Sequence, residues 1–143
     1  MNSKELNIGL DIHGVVDKFP SLFKELSLKW ASKGHIIHII TGEPKKSAEQ
    51  TVIDAGVHYD HFFSIVDYHV ENNTPSLRQD EKGHYWVDRN VWLATKGDYG
   101  RRVGLDIHFD DQIEYFGSFP KTCSLIYVPP VNFKKVLDNL HFY

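Results

Sequence analysis

Apolar positions along the chain alternate between short continuous runs and sets at helical spacing. Leu6 to Leu10 is a strand-like stretch whose apolar run stops at Asp11-Ile12-His13-Gly14, where the chain must turn. Asp11 is thereby placed at a strand's carboxyl end. After Pro20, the residues Leu22, Phe23, Leu26, Leu28 and Trp30 predict a helix that ends in Lys33-Gly34, a basic last turn followed by a terminal glycine. His35 to Thr41 is a β-branched run with the composition of a strand buried in a parallel sheet, closed by Thr41-Gly42. Pro44 fits the first turn of a second helix through Ala48, Val52, Ile53 and Ala55 to Gly56, and Phe62 to Val66 reads as a third strand. This βαβαβ alternation implies a parallel sheet with right-handed crossovers and a ligand crevice at the carboxyl ends of its strands.

The second half is less regular. Glu71 to Pro75 and Asp80 to Gly83 are turn chemistry flanking the small runs Ser76–Gln79 and His84–Val87, so residues 69–87 read as a hairpin insertion. Val91 to Tyr99 is weakly helical, Val103 to Phe109 is a strand ending in Asp110-Asp111, and Ser124 to Val128 is a strand stopped by Pro129-Pro130. Phe133 to Leu140 reads as a closing helix. Gly9-Leu10-Asp11-Ile12-His13 recurs as Gly104-Leu105-Asp106-Ile107-His108, but five residues are far below a structural repeat period, and the match reads as coincidence.

Composition narrows the class. A chain of 143 residues with 41% hydrophobic and 24% charged residues is one globular domain spanning 1–143. Sixteen Lys+Arg against nineteen Asp+Glu give a net charge of −3, which argues against a whole-surface footprint for nucleic acid or anionic membrane. Cys123 is the only cysteine, so an intrachain disulfide and a multi-cysteine zinc or iron–sulfur site are excluded, and a reducing compartment is expected. The opening residues lack the apolar core of a signal peptide and no run is long enough to span a bilayer, so the expected location is the cytoplasm. Nothing in the pattern specifies an oligomeric state.

Three strand ends carry polar residues of one kind: Asp11, Thr41 and Asp110-Asp111. In a doubly wound sheet these ends converge on one crevice. Carboxylates gathered there repel one another unless a cation sits among them, and an oxygen-only set favours Mg²⁺ over softer metals.

The ordered set resembles the haloacid dehalogenase-like phosphohydrolases, which carry Asp-x-Asp-Gly after strand one, Thr or Ser after strand two, a lysine, and a late acidic pair. Here Asp11-Ile12-His13-Gly14, Thr41, Lys96 and Asp110-Asp111 match in that order. The stretch Asp11 to Phe19 is most similar to the opening motif of 5′(3′)-deoxyribonucleotidases, and His108-Phe109-Asp110-Asp111 to their late acidic motif. The resemblance implies a three-layer α/β/α sandwich around a mainly parallel five-stranded sheet of order 5-4-1-2-3. A large cap is excluded between Asp11 and Thr41, because one helix and its strand fill that interval. It further implies that Asp11 attacks phosphorus to form an aspartyl-phosphate, that Thr41 and the amides after it hold phosphoryl oxygens, and that Lys96 neutralises transition-state charge. Mg²⁺ would be held by Asp11, the backbone carbonyl of His13, Asp110 and Asp111. The chain departs from the family pattern at His13, where the second aspartate protonates the leaving oxygen and later activates water. An imidazole with an ordinary pKa near ~6.5 can do that proton transfer, or a bulky ring can block it. The expected activity is hydrolysis of a phosphorylated small molecule or nucleotide, or of a nucleic-acid end. The alternative is a catalytically impaired relative that binds a phosphorylated ligand or a protein partner.

Each candidate has a plainer reading. Asp11 alone suits a turn, Thr41 a helix cap, and Lys96 a solvated helix face, with Lys82 as a rival lysine. His58 and His61 invite a zinc reading, but a pair at that spacing with no cysteine nearby reads rather as a surface or capping pair, and His35, His38 and His108 lie in strand runs where partial, hydrogen-bonded burial is expected. Lys45-Lys46 and Arg101-Arg102 are solvated pairs unless the fold brings them to the crevice, where they would steer an anion. A phosphoacceptor receiver domain also uses Asp, Thr and Lys, but its acidic pair comes at the first strand, the reverse of the order here.

Overall fold

A computed structural model describes residues 4–130 and Lys135; the closing helix expected over Phe133 to Leu140 otherwise lies outside the described residues. The chain runs β1 (Asn7–Leu10), a tight turn (Ile12–Val16), α1 (Pro20–Ser32), β2 (Ile36–Thr41), α2 (Lys45–Ala55), β3 (His61–Ser64) and α3 (Ile65–Glu71). Then come β4 (Arg78–Gln79), β5 (Tyr85–Trp86), α4 (Arg89–Val103), β6 (Ile107–Asp110), a 3₁₀ turn (Ile113–Ser118) and β7 (Ser124–Tyr127). The main sheet has the order β3-β2-β1-β6-β7 with every pairing parallel, which is 5-4-1-2-3 when its strands are counted along the chain. The two shortest strands, β4 and β5, form a separate antiparallel hairpin.

The strand period of two sorts side chains to opposite faces. Ile8 and Leu10 of β1 and Ile37 and Ile39 of β2 pack with Phe23 of α1 and Ala48 and Val52 of α2 on one side. Ile40 packs with Phe63, Ile65, Leu105, Tyr115 and Phe119 on the other, where Trp92, Leu93 and Tyr99 of α4 join. Ile37, Ile39 and Ile40 are fully buried, each worth about 1.5–3 kcal/mol of apolar burial. Helices on both faces of the sheet make three layers.

The expected third strand is shorter than its apolar run. Ile65 and Val66 belong to α3, because Ser64 ends β3 and its hydroxyl accepts from the Asp67 amide at 3.1 Å, capping the helix. The strand expected from Val103 begins only at Ile107, since Val103 ends α4 and Gly104 terminates it in a left-handed conformation. The insertion is partly helical: α3 takes up its first residues and the hairpin the remainder. The hairpin's base is fastened where the Asp88 amide donates to Ser76 Oγ at 3.1 Å and Arg78 pairs with Asp88 at 3.5 Å.

Candidate active site

Asp11 follows the last residue of β1, and its amide still donates to the Phe109 carbonyl at 3.1 Å, so its place is set by the neighbouring strand. The chain then coils through Gly14, which has φ +78; an added Cβ there would lie 2.2 Å from Asp111 Oδ2. Gly14 thus supplies both the backbone conformation and the space that let Asp111 close on the turn. On β6, the period of two puts His108 and Asp110 on the α4 side of the sheet, where Lys96 reaches in.

Lys96 is fully buried and bridges two carboxylates, donating to Asp110 Oδ2 at 2.7 Å and Asp11 Oδ1 at 3.2 Å. It therefore sits in the site rather than on a solvated face, whereas its rival Lys82 is exposed in the hairpin turn. The Tyr115 ring lies 4.3 Å from Lys96 Nζ and adds a cation–π contact. Burial disfavours the charged lysine, but Asp11 and Asp110 more than offset this and hold its pKa above the ordinary value.

The two aspartates differ sharply. Burial dominates at Asp11 and, with the adjacent Asp110 and Asp111, outweighs Lys96 to push its pKa up to about 8. At Asp110, burial is outweighed by hydrogen bonds from His108 Nε2 at 2.9 Å and from Lys96, which hold it below the usual carboxylate range. Its other oxygen accepts from the Gln112 amide at 3.0 Å. Asp111 is raised by burial and by Asp110 against the opposing hydrogen bond with Asp11.

Asp11, Asp110 and Asp111 each place one oxygen within 4.8 Å of the others. When all three are ionised, the carboxylates facing one ammonium leave two negative charges unbalanced, and the donors are all hard oxygens, so the trio fits a divalent cation of the hard class. Among the described residues this is the one such convergence of His, Cys, Asp and Glu side chains. His58 instead bonds Asp60 at 3.2 Å, and His61 stacks on His38 with ring centres 4.9 Å apart.

His13 stands outside the trio. Its exposed ring lines the cleft with Nδ1 3.1 Å from Asp17 Oδ2 and Nε2 2.9 Å from Glu43 Oε1. Partial burial lowers its pKa, but the hydrogen bonds and charges of Glu43 and Asp17 win and raise it above the ordinary value. Thr41 is buried at the end of β2, and its hydroxyl accepts from the Glu43 amide at 3.3 Å. It orders the loop rather than capping α2, whose first residue follows Pro44.

Asp11, His13, Thr41, Lys96 and Asp111 line a cleft of about 690 Å³, the size of a small-molecule site, with Asp110 buried behind it. Its walls also include Tyr85 and Trp86 from the hairpin and Trp92 and Tyr115. Lys45, Lys46, Arg101 and Arg102 do not line it; Lys45 pairs with Glu49, Arg101 with Asp98, and Arg102 covers the Tyr68 ring. Sequence reasoning missed Glu43 and Asp17 as partners of His13, and the aromatic walls. It placed His108 as a buried, hydrogen-bonded side chain, and its position two residues before Asp110 already put both on one strand face. No helix among the described residues is long and apolar enough to cross a membrane. The chain matches no family model, no curated protein and no solved structure.

Proposed function

We propose that the protein is a Mg²⁺-dependent phosphomonoester hydrolase of the haloacid dehalogenase-like type, acting through an aspartyl-phosphate on Asp11. The observation that carries this reading is the buried Lys96 bridging Asp11 and Asp110 at the carboxyl ends of adjacent strands. A fully buried lysine held between carboxylates is costly as a structural device and suits a centre where negative charge accumulates.

An Asp11 oxygen attacks phosphorus, and the bond to the leaving-group oxygen breaks as that oxygen takes a proton. In this reading protonated His13 supplies it, since its ring lines the cleft and the exposed Glu43 is a partner it can exchange for a substrate. The neutral imidazole then accepts a proton from the water that attacks phosphorus, which releases phosphate and restores the Asp11 carboxylate. Lys96 offsets charge next to the nucleophile, and the Thr41 hydroxyl offers a donor to a phosphoryl oxygen. Mg²⁺ bound by Asp11, Asp110, Asp111 and the His13 carbonyl would draw charge from the phosphoryl oxygens and favour ionised Asp11.

A second reading, binding of a phosphorylated ligand or partner without turnover, draws on His13 alone, because both of its ring nitrogens are engaged. Hydrolysis of p-nitrophenyl phosphate with Mg²⁺ and after chelation, in wild type and Asp11→Asn, tests the proposal. Turnover confined to Mg²⁺-loaded wild type is expected. Equal turnover in Asp11→Asn places the chemistry elsewhere, and inert wild type that still binds inorganic phosphate favours the second reading.

A further inference from the structure

Asp110 collects more hydrogen bonds than a buried carboxylate beside a lysine needs. Its Oδ2 accepts from Lys96 Nζ at 2.7 Å and from His108 Nε2 at 2.9 Å, and its Oδ1 accepts from the Gln112 amide at 3.0 Å. A carboxylate offers about four acceptor positions, shared equally by its oxygens. Those on Oδ2 are filled, and the open one is on Oδ1.

The two donors to Oδ2 differ in stiffness. Lys96 reaches it with the tip of a long side chain that also serves Asp11 at 3.2 Å, and an ammonium can turn its protons between partners. His108 is a planar ring, fully buried and stacked on Phe119 with centres 4.8 Å and planes 17° apart. Its Nδ1 edge is pressed against β1, where a Cβ on Gly9 would come within 2.6 Å of it. Ring and carboxylate stand on the same face of β6, so the strand fixes one against the other.

As packing alone, a histidine suits this position poorly. Its Nδ1 is buried with no hydrogen-bond partner among the described residues, a cost that an apolar side chain of similar size would avoid. Asp110 does not need the ring for neutralisation either, since Lys96 supplies the opposite charge. What the ring adds is a rigid donor on the second position of Oδ2.

We infer that His108 is a positioning residue: by occupying Oδ2 it restricts Asp110 to offering one oxygen to a divalent cation, which favours Mg²⁺ over Ca²⁺. The inference rests on the reading of Asp11, Asp110 and Asp111 as a divalent-cation site. Mg²⁺ demands short bonds in near-octahedral geometry, whereas Ca²⁺ takes more oxygens in a flexible arrangement and accepts both oxygens of one carboxylate. A carboxylate held with a single open position meets the first demand and withholds the second.

Calorimetric titration of Mg²⁺ and of Ca²⁺ into the metal-free chain tests this in wild type, His108→Leu and His108→Gln. Leucine fills the ring site without a donor, and the glutamine amide can stand in for Nε2. Wild type is expected to bind Mg²⁺ more tightly than Ca²⁺. His108→Leu should lower Mg²⁺ affinity roughly 10–100-fold, the usual cost of removing such a partner from a metal ligand, and Ca²⁺ affinity by less, so that the preference narrows. His108→Gln should restore most of the Mg²⁺ affinity and the preference. Thermal melts without metal establish that each variant folds, and His108→Met, whose flexible chain fits irregular space, replaces the leucine variant if it does not. A histidine that merely supports the fold would move both ions alike. Unchanged affinities, equal losses for the two ions, a loss in His108→Gln as deep as in His108→Leu, or a wild type that prefers Ca²⁺ therefore overturns the inference and leaves the cation site standing. If wild type binds neither ion, the reading of the site falls and the inference with it.

Discussion

The pentapeptide Gly-Leu-Asp-Ile-His occurs twice, at 9–13 and 104–108, and its two copies lie on neighbouring parallel strands with opposite fates. In the first copy Gly9 and Leu10 finish β1, and Asp11 emerges at the carboxyl end among Lys96, Asp110 and Asp111. In the second, Gly104 ends α4 and Asp106 precedes β6, at the amino end. There Asp106 Oδ2 accepts from the Asn7 amide at 2.9 Å, and its own amide donates to the Asn7 carbonyl at 2.8 Å. Asn7 in turn bonds His38 Nε2 at 2.9 Å, and His38 Nδ1 bonds the Tyr99 hydroxyl at 2.7 Å. The histidines diverge equally: His13 is exposed on the cleft, whereas His108 is fully buried against Phe119. Register excludes a duplicated unit, because Gly9 faces His108 across the ladder rather than Gly104. The end of its strand that each copy occupies, not local sequence, decides which copy meets the converging loops.

The sharpest break in this comparison is between the two aspartates. Asp11→Asn is expected to lower phosphatase turnover by roughly 10³-fold or more. Asp106→Ala should leave kcat unchanged and lower stability by about 1 kcal/mol, the worth of one hydrogen bond. Steady-state rates and urea denaturation of both variants check this, and a large rate loss in Asp106→Ala would erase the distinction. Next come the histidines. His13→Ala should cost roughly 10²–10⁴ in rate with the fold intact. His108→Ala should instead lower stability by about 2–4 kcal/mol, because it empties a buried ring site and removes a donor from Asp110.

The glycines differ by less. A Cβ on Gly9 would lie 2.6 Å from His108 Nδ1 and 2.8 Å from Ile40 Cδ1, so Gly9→Ala should destabilise by about 1–3 kcal/mol through overpacking. At Gly104 nothing lies within 4 Å, and only its φ of +67 resists a side chain, so Gly104→Ala should cost about 1 kcal/mol in the same melts. The remaining difference is the acid response of the amino-terminal end, which shows only as pH falls. Burial, and then His61, hold the His38 imidazole down at about 4, below an unfolded value near ~6.5. As pH falls below that value the unfolded chain takes up a proton that the folded chain resists. This contribution is therefore complete above pH ~6.5 and is lost progressively toward pH ~4. Thermal melts across that window should fall more steeply for wild type than for His38→Gln; parallel slopes would remove His38 from the acid response.

Much of this arrangement was legible from residues. The β-branched run at Ile36–Thr41 and the turn residues after Leu10 marked strand ends, and strand ends in an alternating chain mark a crevice. The apolar run through Ile65 and Val66 misled because burial in a strand and in a helix looks alike over two residues. Ser64-Ile65-Val66-Asp67 nonetheless carried a capping signature. The fourth helix reads as only weakly helical over Val91 to Tyr99, yet it runs from Arg89 to Val103. Gly97 is there for contact, since a Cβ would come within 2.3 Å of the Ser118 carbonyl oxygen in the 3₁₀ turn. That turn has no period to read. Lys96 could not be separated from Lys82 without the helix position that buries one and exposes the other. The His13 bond to Glu43 joins residues thirty apart whose own neighbourhoods signal nothing.

The clasp between Ser76 and Asp88 brings the two ends of the hairpin segment together, while the charged floor is built from β1, β2, β6 and α4. Roof and floor are thus separable parts of one chain. Residues 77 to 87 form a cassette with a fixed doorway. Its exchange for another segment of matching span, with the buried Val87 kept, is expected to alter what the cleft admits more than it alters Asp11, Lys96 and Asp110. For engineering, and for divergence among chains built on the same floor, this makes selectivity a property that can drift independently of reactivity.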